Sequence, residues 1–117
     1  MEDSPDYQQI GRFIYGTARL ESELANLLRA LGIEAAEHTE LSANAGHAVA
    51  LFSALPVDAV DKGQCSALMW EIASFGEQRD ALFERITSMP PEELGALIDD
   101  IAQWAQELRR MRVLTEG

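Results

Sequence analysis

Apolar side chains recur at three- and four-residue steps through most of the chain, which is the period of an amphipathic α-helix. Ser4 is a suitable N-cap and Pro5 suits a first helical turn, so we expect the first helix over about 5–31. Gly32 follows it and predicts a left-handed C-terminal cap. The apolar stripe of this helix consists of Ile10, Phe13, Ile14, Thr17, Leu20, Leu24, Leu27, Leu28 and Leu31.

Three further stripes predict helices over about 39–54, 61–88 and 91–113. Thr39 is the expected cap of the second helix, and Pro91 is the expected first residue of the last one. No segment shows the alternation that is typical of β-strands. Short connections favour antiparallel neighbours, so the pattern predicts an all-α, up-down four-helix bundle.

The length and charge of the chain narrow its class. Its 117 residues predict one domain over 1–117, and 47% apolar residues suffice for a packed core. Nine bases stand against 20 acids, for a net charge of −11. Proteins that bind nucleic acid need clustered Lys and Arg, so direct binding to DNA or RNA is disfavoured. The acidity favours either plain solubility or mimicry of nucleic acid toward a basic protein.

The chain has few residues of the kinds that bind metals or form disulfides. Cys65 is the single cysteine, which fits a reducing cytoplasm, and no apolar run is long enough to span a membrane. His38 and His47 are the two histidines, and neither lies in a zinc-binding pattern. We therefore expect a cytoplasmic protein with no membrane contact, no metal and no cofactor.

One charged residue interrupts the apolar seam of the third predicted helix. Arg79 stands between Phe75 and Leu82, where an unpaired guanidinium is costly to bury. Either it forms an ion pair that fixes the packing of the helices, with Glu21 across the bundle or with a neighbouring acid, or it lines a cleft or a dimer interface. In both cases we expect Phe75, Arg79 and Leu82 to face the same groove. The seam reads Leu68, Ile72, Phe75, Arg79, Leu82 and Ile86.

The stretch from Arg79 to Arg85 resembles the Arg-polar motif of the HEPN superfamily, whose small α-helical domains include ribonucleases of toxin–antitoxin and phage-defence systems. Arg79 and Asp80 match the first half of that motif. The family's histidine follows the arginine after four to six intervening residues, and Glu84, Arg85 and Ile86 occupy these three permitted positions. The resemblance therefore implies a degenerate, non-cleaving relative that acts by dimerising or by binding a partner.

An enzymatic alternative comes from paired carboxylates. All-α NTP pyrophosphohydrolases bind Mg²⁺ through acids on two helices, and Glu37 with Glu40 and Glu77 with Asp80 have similar spacing. Ala36 stands where that family has its first acid. We expect no catalytic residue, and keep the Mg²⁺-dependent enzyme as an alternative.

The sequence thus favours a protein-interaction module. Its predicted binding or interface residues are Trp70, Phe75, Arg79, Asp80 and Trp104, with the two tryptophans as anchors on apolar helix faces. The predicted partner is a protein, either in a toxin–antitoxin or defence setting or as a basic nucleic-acid-binding protein blocked by a phage-type acidic inhibitor. We also expect a homodimer, because a domain of this size buries a modest share of its surface.

Overall fold

The computed structural model describes residues 6–33 and 41–116, which are almost entirely helical. Helix α1 spans Tyr7–Ala30, α2 Leu41–Ser53, α3 Ala59–Glu84 and α4 Pro91–Glu116. A short 3₁₀ helix, Ile86–Ser88, connects α3 to α4. These two ranges contain no β-strand. The predicted all-α bundle of four helices is confirmed.

Helix α1 begins later than the sequence pattern predicts. Asp6 is its N-cap: the backbone is extended there, and the carboxylate accepts a hydrogen bond from the Gln9 amide at 2.7 Å. The first helical residue is therefore Tyr7, and the predicted cap Ser4 and first-turn Pro5 lie outside the described residues.

The end of α1 agrees with the sequence prediction. Gly32 has a φ of 101°, in the left-handed region that glycine tolerates best. The Ile33 amide donates to the Leu28 carbonyl at 2.9 Å, and the Gly32 amide donates to the Arg29 carbonyl at 3.0 Å. Together these bonds form a Schellman cap, which satisfies two carbonyls that the helix itself leaves open.

The predicted bounds of the other helices need correction. Helix α3 starts at Ala59, not at 61, because the Asp58 carboxylate accepts from the Asp61 amide at 2.9 Å and caps the helix earlier. It ends at Glu84, not at 88, since the last turn tightens into the 3₁₀ helix. Helix α4 continues beyond 113 to Glu116. The predicted cap Thr39 lies outside the described residues.

Contacts along α1 and α4 show that these two helices run parallel. The Gln9 side chain donates to the Pro91 carbonyl at 2.8 Å, where both helices begin. Farther along both helices, the Arg109 guanidinium lies 3.2 Å from a Glu23 carboxylate oxygen. Strict up-down alternation would make the first and last helices antiparallel. The direction of α4 relative to α1 therefore differs from strict alternation.

Helix α3 runs against α4. Asp61, near the start of α3, lies 3.9 Å from Arg110, near the end of α4. Toward the middle, the Trp104 indole donates to Glu71 at 2.8 Å. Helix α1 packs mainly on α4, and α2 mainly on α3. The bundle is elongated, with extents of 54 × 27 × 19 Å, so much of its helix surface faces solvent.

The apolar stripes form one core, with an exception in α1. The fully buried large side chains are Phe13, Leu20, Leu24, Leu27, Leu28, Phe52, Met69, Ile72, Leu94, Ile101, Leu108 and Met111. Ile14, which the sequence assigns to the stripe, is 51% exposed instead. It follows Phe13 by one position, about 100° around the helix, and so points away from the core that Phe13 enters.

A glycine permits the close approach of α2 to α3. A Cβ at Gly76 would lie 2.9 Å from the Leu41 Cβ and 3.2 Å from the Ser42 amide nitrogen. The second of these neighbours is backbone and cannot rotate away. The start of α2 therefore depends on the missing side chain at Gly76.

We expect Gly76→Ala to lower the free energy of unfolding by about 1–2 kcal/mol, since the overpacking at α2 outweighs the better helix propensity of alanine. Gly63→Ala is the matched control on the same helix, because a Cβ there meets nothing within 4 Å. That control should stabilise the protein by about 0.5–1 kcal/mol. Urea unfolding of both variants provides the measurement, and equal stabilisation by both would contradict the close approach.

Candidate functional site

Arg79 forms the ion pair across the bundle that the sequence offered as one of its two explanations. Its guanidinium donates to a Glu21 carboxylate oxygen at 2.5 Å, and its charge lies 5.6 Å from the centre of the Phe83 ring. The Nε atom of Arg79 is buried and has no hydrogen-bond partner. Roughly two-thirds of each side chain of the pair is covered, so Arg79 joins α3 to α1.

The prediction that Arg79 shares a groove with Phe75 and Leu82 is wrong. Phe75 and Leu82 line a groove between α3 and α4, whereas Arg79 lies beside Gly76 in a small depression at the start of α2. Helical geometry explains the difference. Viewed along the helix axis, Arg79 lies about 40° to one side of Phe75, whereas Leu82 lies about 20° to the other side. Asp80 is exposed beside Arg79 and also lies outside the groove.

A groove with mostly apolar walls lies between α3 and α4. Its cavity volume is about 460 Å³. The two helices touch over only part of their length, and the opening lies where they separate. The groove is lined by Trp70, Glu71, Ser74, Phe75, Gln78, Leu82, Arg85, Met89, Glu93, Ala96, Leu97, Asp100 and Trp104.

The two tryptophans play different parts in this groove. Trp104 is half-buried, its ring centre lies 5.7 Å from that of Phe75, and its indole nitrogen donates to Glu71 at 2.8 Å. Its polar group is therefore satisfied while its ring covers the wall of the groove. Trp70 is 73% exposed at the edge of the groove, which makes it a projecting side chain and not part of the core.

The edges of the groove carry mostly negative charge. Glu71, Glu93 and Asp100 contribute three carboxylates, against the single guanidinium of Arg85. Within the described ranges, no ion pair joins Glu93 or Asp100 to a base. Past Trp104 the cleft between the two helices continues as a polar compartment of about 540 Å³, which contains the same Glu71 and Asp100. The cleft is thus apolar at one end and acidic at the other.

Sequence reasoning found part of this groove. It singled out Trp70, Phe75 and Trp104, which the structure brings together, and Arg79 and Asp80, which lie elsewhere. It missed the apolar floor and the acidic edge. Two sequence features could have predicted them. The apolar stripes of α3 and α4 are wider than contact with one helix requires, and acidic residues lie between the apolar positions.

The described part of the chain brings no set of metal ligands together. Its residues contain no group of three or more His, Cys, Asp or Glu side chains placed to bind a metal ion. Glu37, His38 and Glu40 lie outside the described residues, and His47 is exposed on α2. None of the helices in the described part is both long and apolar enough to cross a membrane. Of the acids that the Mg²⁺-dependent alternative needs, the structure describes Glu77 and Asp80. These two belong to no such group, so the alternative gains no support from them.

Compared with known proteins, the chain matches no protein-family model, no curated protein and no solved structure. The HEPN-like resemblance stays a prediction.

The pairing of Arg79 with Glu21 can be measured with a double-mutant cycle of Glu21→Gln and Arg79→Met. We expect a coupling energy of about 0.2–1 kcal/mol, because both side chains are partly exposed to water. The methionine keeps the apolar stem over Phe83, so the cycle isolates the charge. Coupling should shrink in high salt. A coupling of zero in low salt would contradict the pair.

Burial makes the thiol of Cys65 unreactive. Desolvation raises the pKa of Cys65 from 9.0 to about 11, because the apolar surroundings disfavour the thiolate. The folded protein thus holds this proton more tightly than the unfolded chain. The resulting stability is fully present below pH 9 and is lost as the pH rises toward 11.

We therefore expect the free energy of unfolding to fall more steeply between pH 9 and 11 for the natural protein than for Cys65→Ala. Comparing the two slopes removes every contribution that the variant shares with the natural protein. Urea unfolding at each pH provides the measurement. Identical slopes would show that the thiol ionises equally easily in both states.

Proposed function

We propose that this chain is a non-catalytic protein-interaction module whose α3–α4 groove binds a helical segment of a partner with basic residues beside its apolar face. The observation that carries the proposal is the groove itself: an apolar opening of about 460 Å³ edged by Glu93 and Asp100, which no base within the described ranges neutralises. Grooves of this kind between two helices commonly accept an amphipathic helix.

The dimensions of the groove favour a helix over a single small molecule. Its α4 wall runs from Glu93 to Trp104, which is about three helical turns or about 16 Å. A ligand helix of that length presents apolar side chains at positions such as i, i+4 and i+7, which match a groove lined by Phe75, Leu82 and Leu97. The projecting Trp70 would cover one side of such a ligand, as aromatic anchors do at interfaces.

The charges favour a basic partner. Lys or Arg side chains beside the apolar face of the ligand would meet Glu71, Glu93 and Asp100 at the edge of the groove. Such contacts speed association and select the partner more than they add affinity. A basic nucleic-acid-binding protein, the partner of a phage-type acidic inhibitor, fits this chemistry, and a cytoplasmic setting suits it.

The pairing of Arg79 supports the non-catalytic side of the HEPN-like resemblance. Its guanidinium is occupied by Glu21 and packs over Phe83, and the histidine that the motif requires is absent from 84–86. In a HEPN-like setting the module would act by binding its partner through the groove. We include the predicted homodimer in this proposal as association of the chain with a second copy of itself.

Trp70 and Trp104 both line the groove, so their fluorescence reports directly on its occupancy. We expect a tryptophan-free peptide of about five helical turns, with a leucine face flanked by arginines, to shift the emission with a dissociation constant on the order of micromolar. Affinity should fall as salt rises, because close charges contribute. Trp70→Ala should weaken binding about tenfold, with Trp104 as the remaining reporter.

Two controls make this measurement specific. Val113→Ala removes an equally exposed apolar side chain outside the groove and should leave the affinity unchanged. A scrambled peptide of the same composition keeps the charge but loses the apolar face, and should bind at least tenfold more weakly. Equal binding of both peptides, or no effect of Trp70→Ala, would contradict the proposal.

A further inference from the structure

Helix α1 presents a further exposed apolar surface on its outward side. Tyr7, Ile14 and Tyr15 are 93%, 51% and 71% exposed, which is unusual for three large apolar side chains on one helix. Around the helix, Ile14 lies about 20° from Tyr7 on one side and Tyr15 about 80° on the other, so the three side chains cover about 100° of its outward side. Arg12 and Arg19 flank Tyr15, one helical turn before and one after it. We call these five residues the α1 ridge.

The two arginines of the α1 ridge carry free positive charge. Arg79, Arg109 and Arg110 each pair with an acid, whereas the described part of the chain supplies no ion pair for Arg12 or Arg19. Both line the same shallow apolar notch between α1 and α4. A protein of net charge −11 thus keeps an unneutralised basic pair beside its exposed aromatic side chains.

The α1 ridge therefore has the chemistry that the α3–α4 groove selects. It is a helix with an apolar face and two bases about 10 Å apart along its axis, which is the spacing of seven helical residues. The groove is apolar and carries unpaired Glu93 and Asp100 at its edge. No residue belongs to both surfaces, so one copy can use both at once.

We infer that the groove's partner is a second copy of this chain, whose α1 ridge lies in the groove. This inference rests on the proposed function of the groove and names its occupant. The contact joins two different surfaces, and made once per pair it is head-to-tail and leaves one ridge and one groove open at the ends of each pair. Self-association therefore continues beyond a dimer as the concentration rises.

The net charge of the two copies does not oppose this contact strongly. At physiological ionic strength charges separated by more than about 8 Å are screened, so the charges at the contact decide its sign. There the Arg12 and Arg19 guanidiniums meet the carboxylates of Glu93 and Asp100. The association should strengthen at low salt through these pairs, although the overall repulsion of like-charged copies reduces that gain.

Two variants, each blocked on one surface, test the inference. Replacing Arg12, Tyr15 and Arg19 by alanine removes the ridge and keeps the groove, and Glu93→Arg with Asp100→Arg does the reverse without giving the alanine ridge a charge to pair with. Alone, each should associate at least tenfold more weakly than the natural protein and remain near the chain mass of 12.9 kDa. Mixed in equal amounts, they should form a capped dimer of twice that mass and nothing larger, because each supplies the surface that the other lacks.

Sedimentation velocity measures these masses at protein concentrations up to about 0.5 mM. Such concentrations are needed because weak self-association has dissociation constants in this range. Lys62→Glu is the matched control, since it inverts a base outside both surfaces and should leave self-association unchanged. Circular dichroism on every variant verifies that the helices are retained.

The outcomes separate this inference from the proposed function. If the natural protein stays monomeric while the basic amphipathic peptide still binds, the second copy is not the occupant and the groove proposal stands. If the peptide also fails to bind, both fall. Self-association that both blocked variants retain, or a mixture that forms no dimer, would overturn the head-to-tail contact.

Discussion

The packing of Phe13 against α3 is the contact on which the arrangement of the bundle depends. Helix α1 packs mainly on α4 and α2 mainly on α3, so the protein consists of two helix pairs that must be joined. Phe13 is fully buried and meets Phe83 at 5.2 Å and Phe75 at 6.3 Å between ring centres, both edge-on. Phe75 in turn contacts Trp104 at 5.7 Å. This chain of aromatic rings runs from α1 through α3 to α4.

The same contact explains why the groove stays open. Aromatic side chains need ring centres roughly 4.5–7 Å apart, which keeps helix axes farther apart than alanine or glycine contacts would. Where α2 meets α3, Gly76 lets the backbones approach closely. Where α3 faces α4, Phe75 and Trp104 meet instead, and the helices separate on one side of them. The large side chains of Phe75 and Trp104 therefore leave a groove between α3 and α4, whereas the absent side chain of Gly76 lets α2 pack closely on α3.

The sequence predicted the helices better than their arrangement. Periodicity and capping chemistry determine where a helix forms, and both are local, so Gly32 and Pro91 marked helix ends correctly. The direction of packing depends on which faces fit together, and this is decided by contacts such as Gln9 with Pro91 that no local pattern shows. The parallel packing of α1 and α4 could not be deduced for that reason.

The candidate site shows the same division between local and long-range information. Arg79 was recognisable because a charge in an apolar seam must be paired, and Glu21 interrupts the seam of α1 in the same way. That argument identifies a residue under constraint, and here the constraint is structural. Other residues that line the groove, such as Ala96 and Leu97, fit their helical patterns and gave no such signal.

Local charge is a better guide to this protein than its net charge. A value of −11 describes the long-range field, which salt reduces within about a Debye length. Binding is decided over shorter distances, where Glu93 and Asp100 border one apolar surface and Arg12 and Arg19 border another. An acidic mimic of nucleic acid would need its carboxylates spread along a face in a regular array. Glu93 and Asp100 border an apolar groove instead, and we propose that they serve recognition of an amphipathic helix and not imitation of a phosphate backbone.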